Sequence, residues 1–200
     1  MRILSEKPRK AAFLIDNGFS EIDFADSSSV LEKEGFFIKT IGTGSEAVRA
    51  WSAGNWGGTY AISAALPNAH HSDYDVLVVP GGRRSVEKLK LNQGIPAFIQ
   101  GFISSGRPVI AYNSGVELLL CHSLLKGKTV SAPRRLVSNI EQAEGAWTDK
   151  PSAVSGGILT LTRQESGFSV EIRTFLKKLS VLESEGQKSS MIAQGRHKAA

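Results

Sequence analysis

Three consecutive polar residues, Tyr112, Asn113 and Ser114, interrupt the mainly apolar segment PVIAYNSGVELLL at residues 108–120. The segment has the pattern of a buried strand that runs directly into a helix, and such joints hold nucleophiles and cofactor anchors in α/β proteins. An asparagine amide does not ionise and can only donate and accept hydrogen bonds. Asn113 could therefore orient a ligand, polarise a carbonyl group or position water. It could equally just satisfy a strained turn, since asparagine tolerates positive φ.

Two further loops are expected to reach the same crevice, because the carboxyl ends of parallel strands lie at one edge of a sheet. One loop follows the apolar run at residues 11–15, and the other ends the run DVLVVPGG at residues 75–82. Backbone amides near a helix start would form a positive cradle there for an oxyanion or a carboxylate. The predicted ligand-binding residues are Gly81, Gly82, Ser114 and Gly115.

Asp23 allows two interpretations. Residues 20–23 fit the helix-capping pattern S-x-x-D, but Asp23 could also be a pocket carboxylate that acts as acid, base or ligand partner. An apolar shell would raise its pKa and make proton transfer plausible. Asp23 and Asn113 are thus the candidate catalytic residues. Ser114 has neither an adjacent base nor the first glycine of a G-x-S-x-G motif, so we expect it to cap the helix instead.

Other reactive side chains give weaker signals. Cys121 is the only cysteine and lies among leucines, which is typical of a buried structural thiol. The neighbouring His70 and His71 have no second cluster to complete a metal site, so we expect neither a metal nor a cofactor. Trp51 and Trp56 could cover the pocket or lie at a subunit contact, although core packing is the commoner role for such residues.

The elements that must position these residues alternate between strands and helices. This alternation predicts a flavodoxin-like, three-layer α/β/α sandwich with a mainly parallel central sheet. A glycine-rich stretch at residues 48–64 predicts a hairpin-like excursion from it. Strands are predicted at residues 11–15, 36–42, 75–82, 108–112 and 128–131 and twice within 152–162, helices at 22–31, 86–89, 96–105, 116–120 and 136–144, and a last regular element at 169–179.

The 200 residues are 41% hydrophobic, which is enough for one core, so a single domain is expected at residues 11–182. A basic N-terminal arm at residues 1–10 precedes it, and a polar tail follows at residues 183–200. The net charge of +5 is not arranged in the sequence as a basic face interleaved with aromatic residues, so no nucleic-acid partner is expected. The lack of a long apolar segment and the single cysteine predict a cytoplasmic location and no membrane partner.

The order of these motifs resembles the ThiJ/PfpI family of the class I glutamine-amidotransferase-like superfamily. The resemblance runs from about residue 11 to residue 179 and is carried by DVLVVPGG, SGRPVIAYNSGVELLL and LLKGKTVSAP. It implies a glutamate in the first helix, a cysteine at the elbow and often a histidine after it, where this sequence has Asp23, Asn113 and Ser114. A late segment that is usually Ser-Arg-x-Pro with an acidic residue is here TRQESG, at residues 162–167.

The resemblance implies activities such as glyoxalase, deglycase, hydratase and peptidase, but cysteine-dependent versions are not expected with asparagine at position 113. Two hypotheses follow. The first is a catalytically altered member, a pseudoenzyme with a stress or regulatory role, whose crevice binds a small carbonyl or carboxylate compound. The second is a cysteine-independent lyase, hydratase or hydrolase in which Asp23 moves protons. A homodimer is a further expectation from the family.

Overall fold

The computed structural model describes residues 8–120, 124–162 and 167–178. The strands are β1 (Lys10–Leu14), β2 (Phe19–Ser20), β3 (Phe37–Gly42), β4 (Ala47–Ser52), β5 (Asn55–Ala61), β6 (Ala64–Ala65), β7 (Val76–Val79), β8 (Val109–Tyr112), β9 (Thr129–Ser131), β10 (Ala146–Thr148), β11 (Ser152–Ser155) and β12 (Ile158–Leu161). The helices are α1 (Glu21–Lys33), α2 (Arg83–Lys90), α3 (Gly94–Ser104), α4 (Val116–Leu120), α5 (Val137–Gln142) and α6 at residues 169–178.

Seven strands form the central sheet in the order β11-β12-β8-β7-β1-β3-β6. Every neighbouring pair in it is parallel except β11 and β12, which form a hairpin at one edge. The carboxyl ends of β1, β7 and β8 therefore lie side by side at one edge of the sheet, which places the loops that follow them together.

Side chains alternate between the two faces of the sheet, as the period of two in a strand requires. In β1, Ala12 and Leu14 join a core with apolar residues of α2 to α5, whereas Ala11 and Phe13 join a second core with apolar residues of α1 and α6. Helices thus cover both faces, which is why the central strands are apolar throughout. The predicted three-layer sandwich with a mainly parallel sheet is confirmed.

Two smaller sheets lie beside the central one. The glycine-rich stretch forms the antiparallel hairpin of β4 and β5, as predicted, and β2 pairs with β4 to complete a three-stranded sheet. The predicted strand at residues 128–131 is also confirmed, but as β9 it pairs with β10 outside the central sheet.

The two predicted terminal segments are described only in part. Of the basic arm at residues 1–10, Arg9 lies over the Phe36 ring, 4.3 Å from its centroid, and Lys10 begins β1. These two residues contact the folded body, whereas the rest of the arm and the tail at residues 183–200 lie outside the described residues, as does Cys121. Of the helices that the structure describes, none has the length and apolar character needed to cross a membrane.

Candidate functional site

The elbow between β8 and α4 is one turn of 3-10 helix at Asn113–Gly115. Asn113 has a φ of 45°, in the left-handed region that few residues other than glycine adopt. The positive φ expected for an asparagine at this joint is confirmed. A Cβ atom on Gly115 would lie 2.6 Å from the carbonyl oxygen of Val79, so only a glycine lets the elbow pack directly against the end of β7.

Glu117 fixes the elbow helix from its other side. Its buried carboxylate pairs with Lys90 at 2.5 Å and with Arg135 at 2.6 Å. Burial alone would raise the pKa of Glu117, but hydrogen bonds from the two cations outweigh burial and lower the pKa. Because the two partners come from α2 and from the turn before α5, three elements together hold the elbow in place.

The first turn of α1 brings Asp23 to the elbow. Ser20 is the N-cap of this helix, and its side chain accepts a hydrogen bond from the Asp23 N–H at 3.4 Å. The Ser20 N–H donates to the Gly81 carbonyl at 2.9 Å, so the reciprocal half of a capping box is not formed by the Asp23 carboxylate. Ser20 therefore supplies the cap, and the Asp23 carboxylate is available to other groups.

The Asp23 carboxylate contacts both of the other loops of the predicted crevice. The residue is only 8% exposed, its Oδ2 accepts a hydrogen bond from the Gly81 N–H at 2.9 Å, and its carboxylate is hydrogen-bonded to the Asn113 side chain. A Cβ atom on Gly81 would lie 2.7 Å from the same Oδ2, so this close approach requires glycine. The loops after β1, β7 and β8 thus meet at one carboxylate.

Burial raises the pKa of Asp23 above its ordinary value, and the nearby Asp26 carboxylate adds to this effect. Hydrogen bonds from Gly81, Ser20 and Asn113 act in the opposite direction without cancelling it. A carboxyl group with a raised pKa holds its proton to higher pH, and can then donate a hydrogen bond as well as accept one.

A cavity of about 930 Å³ opens beside Asp23 and Asn113. Among the lining residues that the structure describes there are two carboxylates and no lysine or arginine. The lining residues are Ser20, Ile22, Asp23, Asp26, Trp51, Ser52, Ala53, Gly54, Gly82, Tyr112, Asn113, Gly167 and Phe168. The interior of the cavity therefore disfavours an anion and favours a neutral polar group.

Tyr112 is a lining residue whose hydroxyl group is notable. The side chain is 1% exposed, and its hydroxyl has no hydrogen-bond partner in the part of the chain that the structure describes. Burial raises the pKa of Tyr112 well above 10.0, with a further contribution from Asp26, although Ser27 acts against it. The hydroxyl thus stays neutral and is enclosed by the protein rather than open to the cavity.

Another wall of the cavity is the turn of the β4–β5 hairpin. Trp51 lines the cavity, in agreement with one of the roles left open for it, whereas Ala53 and Gly54 were not predicted for the site. The two turn residues, Ala53 and Gly54, have φ of 46° and 86°, as a type I′ turn requires. Glu21 of α1 holds this hairpin, because its Oε1 accepts hydrogen bonds from the Gly58 N–H at 2.9 Å and the Tyr60 hydroxyl at 3.1 Å. The glycine pair in β5 was the available signal, since a Cβ atom on Gly57 would lie 2.4 Å from the Glu21 carboxylate.

The predicted ligand-binding residues do not all reach the cavity. Gly82 lines it, whereas the Gly81 N–H is already bonded to Asp23. Ser114 and Gly115 are buried and are not lining residues, since the elbow packs them against β7. A cradle of the Gly82, Ser114 and Gly115 amides is thus not formed around one space in the cavity.

The histidines lie elsewhere. His70 and His71 stack with ring centroids 4.5 Å apart beside α3, and His71 lies near Arg107. Within the described ranges, no group of three His, Cys, Asp or Glu side chains comes together. The expectation of no metal and no cofactor stays a prediction.

Comparisons with known proteins agree with this architecture. The YraA protein of Bacillus subtilis is 27% identical over 154 residues, which are 76% of this chain and 88% of that protein. Protein/nucleic acid deglycase 2 of Escherichia coli is 23% identical over 155 residues, 78% of this chain and 88% of that protein. The crystal structure of a ThiJ/PfpI domain protein from Brachyspira murdochii superimposes with a TM-score of 0.72 at 18% identity, covering 90% of this chain and 99% of the other.

The family model described as DJ-1/PfpI family matches residues 9–172. The matched segment begins just before β1 and ends within α6, so it contains the whole central sheet and the elbow. Because it spans most of the 200 residues, the chain belongs to the DJ-1/PfpI family.

Proposed function

We propose that this protein binds a small carbonyl compound in the cavity beside the elbow, without a covalent step. The observation that carries the proposal is the pairing of Asn113, at the strained elbow, with the buried carboxylate of Asp23 on the cavity wall. The resemblance to the ThiJ/PfpI family puts a cysteine nucleophile at position 113. An asparagine there keeps the hydrogen-bonding capacity of the corner and lacks a thiolate.

No other residue of the corner replaces the thiolate. Ser114 is buried behind the cavity, and the only cysteine of the chain is eight residues further on, at position 121. The name of the Escherichia coli relative refers to a deglycase, and the resemblance to the ThiJ/PfpI family implies glyoxalase activity, which acts on small carbonyl compounds. We therefore propose that recognition of the carbonyl group is retained while covalent attack on it is lost.

The cavity groups suit a carbonyl oxygen better than a carboxylate. The side-chain amide of Asn113, which lines the cavity, carries N–H donors, and a carbonyl oxygen is an acceptor of matching polarity. A carboxylate would meet Asp23 and Asp26 and no described cation among the lining residues. Of the two ligand classes expected from the sequence, we propose the carbonyl compound for the interior of the cavity.

Thermal unfolding with methylglyoxal, glyoxal and a panel of small amides tests this proposal. A bound ligand should raise Tm in a concentration-dependent way, and dialysis should reverse the effect, which separates binding from chemical modification of surface lysine and arginine. Asn113→Ala should weaken stabilisation. Turnover should be absent from the unmodified protein. Stabilisation that survives Asn113→Ala, or no stabilisation by any carbonyl compound, would contradict the proposal.

A second candidate function is a cysteine-independent lyase, hydratase or hydrolase of small metabolites. The raised pKa of Asp23 favours it, because a buried carboxyl group that holds its proton can act as a general acid or base. The same ligand panel assayed for turnover decides between the candidates. Turnover that is lost in Asp23→Ala and kept in Cys121→Ser would support this enzyme, whereas loss in Cys121→Ser would point to thiol chemistry.

We also propose a cytoplasmic homodimer with a stress-related or regulatory role. Two large apolar side chains are exposed on the α1 and α6 layer, Ile22 at 74% and Val170 at 71%, and Ile22 also lines the cavity. A subunit contact over this layer would cover both side chains and narrow the mouth of the cavity. Sedimentation equilibrium on the full chain and on Ile22→Glu tests this contact. If the contact forms, the substitution should weaken self-association.

A further inference from the structure

Arg49 of β4 and the consecutive Arg83 and Arg84 of α2 lie together around Trp51 and Trp56, beside the cavity. Arg84 of α2 stacks on the Trp51 ring, 4.1 Å from its centroid, and lies 5.4 Å from the centroid of Trp56. Arg49 of β4 approaches Trp56 from the hairpin, at 5.5 Å. Arg83 precedes Arg84 in the chain. We call Arg49, Arg83 and Arg84 the arginine rim.

The positive charge of the arginine rim is not compensated within the described residues. None of the three arginines forms an ion pair there. Glu87, the acidic residue that lines the same groove, pairs with Lys90 at 3.0 Å, and Asp16 pairs with Lys88 at 3.4 Å. Arg83 and Arg84 also occupy the first turn of α2, which contains no acidic residue. The helix macrodipole disfavours cations at that end. The charges of the three arginines and the positive end of the α2 dipole together create a local positive potential, which a bound anion would neutralise.

The arginine rim is adjacent to the carbonyl cavity. Trp51 lines the cavity and supports Arg84, and Gly82 lines the cavity immediately before Arg83. Gly81, which contacts Asp23, is three residues from Arg84, at most about 11 Å along the backbone. A groove of about 550 Å³ runs over the rim and is lined by Asn17, Trp56, Arg83, Arg84, Glu87 and Lys88.

We propose that the arginine rim binds the anionic end of the same ligand whose carbonyl group enters the cavity. The inference rests on the proposed function and names its ligand class: an aldehyde or ketone that carries a carboxylate or phosphate a few bonds from the carbonyl carbon. The acid-lined interior and the basic rim then recognise opposite ends of one molecule. This division explains how a site can select an anionic metabolite although no described cation lines its interior.

Matched ligand pairs test this assignment by titration calorimetry on the full chain. Succinic semialdehyde is compared with butanal for a carboxylate, and glyceraldehyde 3-phosphate with glyceraldehyde for a phosphate. The anionic member of at least one pair should bind about tenfold more tightly, which is the size of one charge-assisted hydrogen bond at a partly exposed site. The preference should shrink as salt is added.

Arg84→Gln should remove the preference and Arg84→Lys should keep part of it. Arg84→Gln also removes the stacking of Arg84 on the Trp51 ring. Arg83→Gln tests the charge alone, since it leaves the stacked Arg84 in place. Arg134→Gln is the matched control, because Arg134 also lies over a tryptophan, 5.9 Å from the centroid of Trp147, outside the arginine rim. It removes one charge and one ring contact, and should leave the preference intact.

The outcomes separate the two proposals. If neutral aldehydes bind through Asn113 but the anionic members gain nothing, the rim assignment is wrong and the proposed function stands. If Arg134→Gln lowers the preference as much as Arg84→Gln, the effect is only one of net charge and the assignment also fails. If inorganic phosphate binds as tightly as glyceraldehyde 3-phosphate, the rim acts without the cavity, which overturns the shared ligand. If no carbonyl compound binds, both proposals are wrong.

Discussion

Replacement of Asn113 separates the two reasons for an asparagine at the elbow. Asn113→Gly and Asn113→Ala both remove the hydrogen bond between the side-chain amide and the buried Asp23 carboxylate. Only the alanine variant retains a Cβ atom at a backbone φ of 45°. The difference in the free energy of unfolding between the two variants therefore measures backbone strain. The loss of stability that both variants share measures the contact with Asp23.

The expected magnitudes follow from these two contributions. A hydrogen bond to a charged group contributes about 1.5 kcal/mol to stability at the lower end of its range. Alanine in the left-handed region costs roughly 1.5 kcal/mol, and the greater unfolded-state entropy of glycine offsets about 0.7 kcal/mol of the advantage that glycine gains there. Both variants should therefore be less stable than the unmodified protein, with Asn113→Gly more stable than Asn113→Ala by about 0.8 kcal/mol.

Urea unfolding followed by tryptophan fluorescence measures both differences, provided that the dependence of the free energy of unfolding on urea is the same in each variant. Ala53→Gly is the matched control, because Ala53 has a φ of 46° at the hairpin turn and has no side-chain amide. It should raise stability by about 0.5–1 kcal/mol. An Asn113→Ala variant as stable as Asn113→Gly would refute the assignment of strain to the elbow.

Three further predictions concern the walls of the cavity. Because the folded-state pKa of Asp23 is raised above its ordinary value of 3.8, the stability of the unmodified protein should fall as pH rises from about 4 through the folded-state pKa. Urea unfolding should therefore show that Asp23→Asn gains stability relative to the unmodified protein over that interval. Ala53→Asn should raise Tm by about 2 °C, since asparagine suits the first position of a type I′ turn; no change would argue against that turn. Glu21→Ala should cost about 1 kcal/mol and weaken ligand binding through the loosened hairpin, whereas Tyr60→Phe should have about half that effect on stability; equal losses would contradict two separate bonds.

The fold could be predicted because its signals are local and repeated. Apolar runs of four to six residues separated by helical patterns require a parallel sheet that is covered on both faces. The pairing of β9 with β10 outside the central sheet could not be predicted from residues 128–131 alone. A three-residue strand has the same local pattern in either sheet, and only contacts distant in the sequence select its partner.

The candidate site could be predicted at the points where a strand ends and only there. Asn113, Asp23 and Gly82 line the cavity because each follows a strand of the parallel sheet at the same edge. For the hairpin wall, the sequence leaves Trp51 open between covering the pocket, a subunit contact and core packing, and it does not identify Ala53, because nothing in the sequence states towards which side a hairpin folds. The arginine rim could not be predicted for the same reason. Its arginines and the two tryptophans come together only when the hairpin and α2 lie side by side in the fold.

The choice of asparagine at the elbow can be argued from its alternatives. A glycine would adopt a φ of 45° at lower cost, so a purely structural turn would favour glycine. An asparagine tolerates the strain and adds an amide that reaches Asp23. A family-type cysteine would tolerate the strain less well and supply a thiolate. With asparagine at position 113, the elbow presents a hydrogen-bonding side chain and no thiol to the cavity, which is what our proposal of non-covalent recognition of a carbonyl group requires.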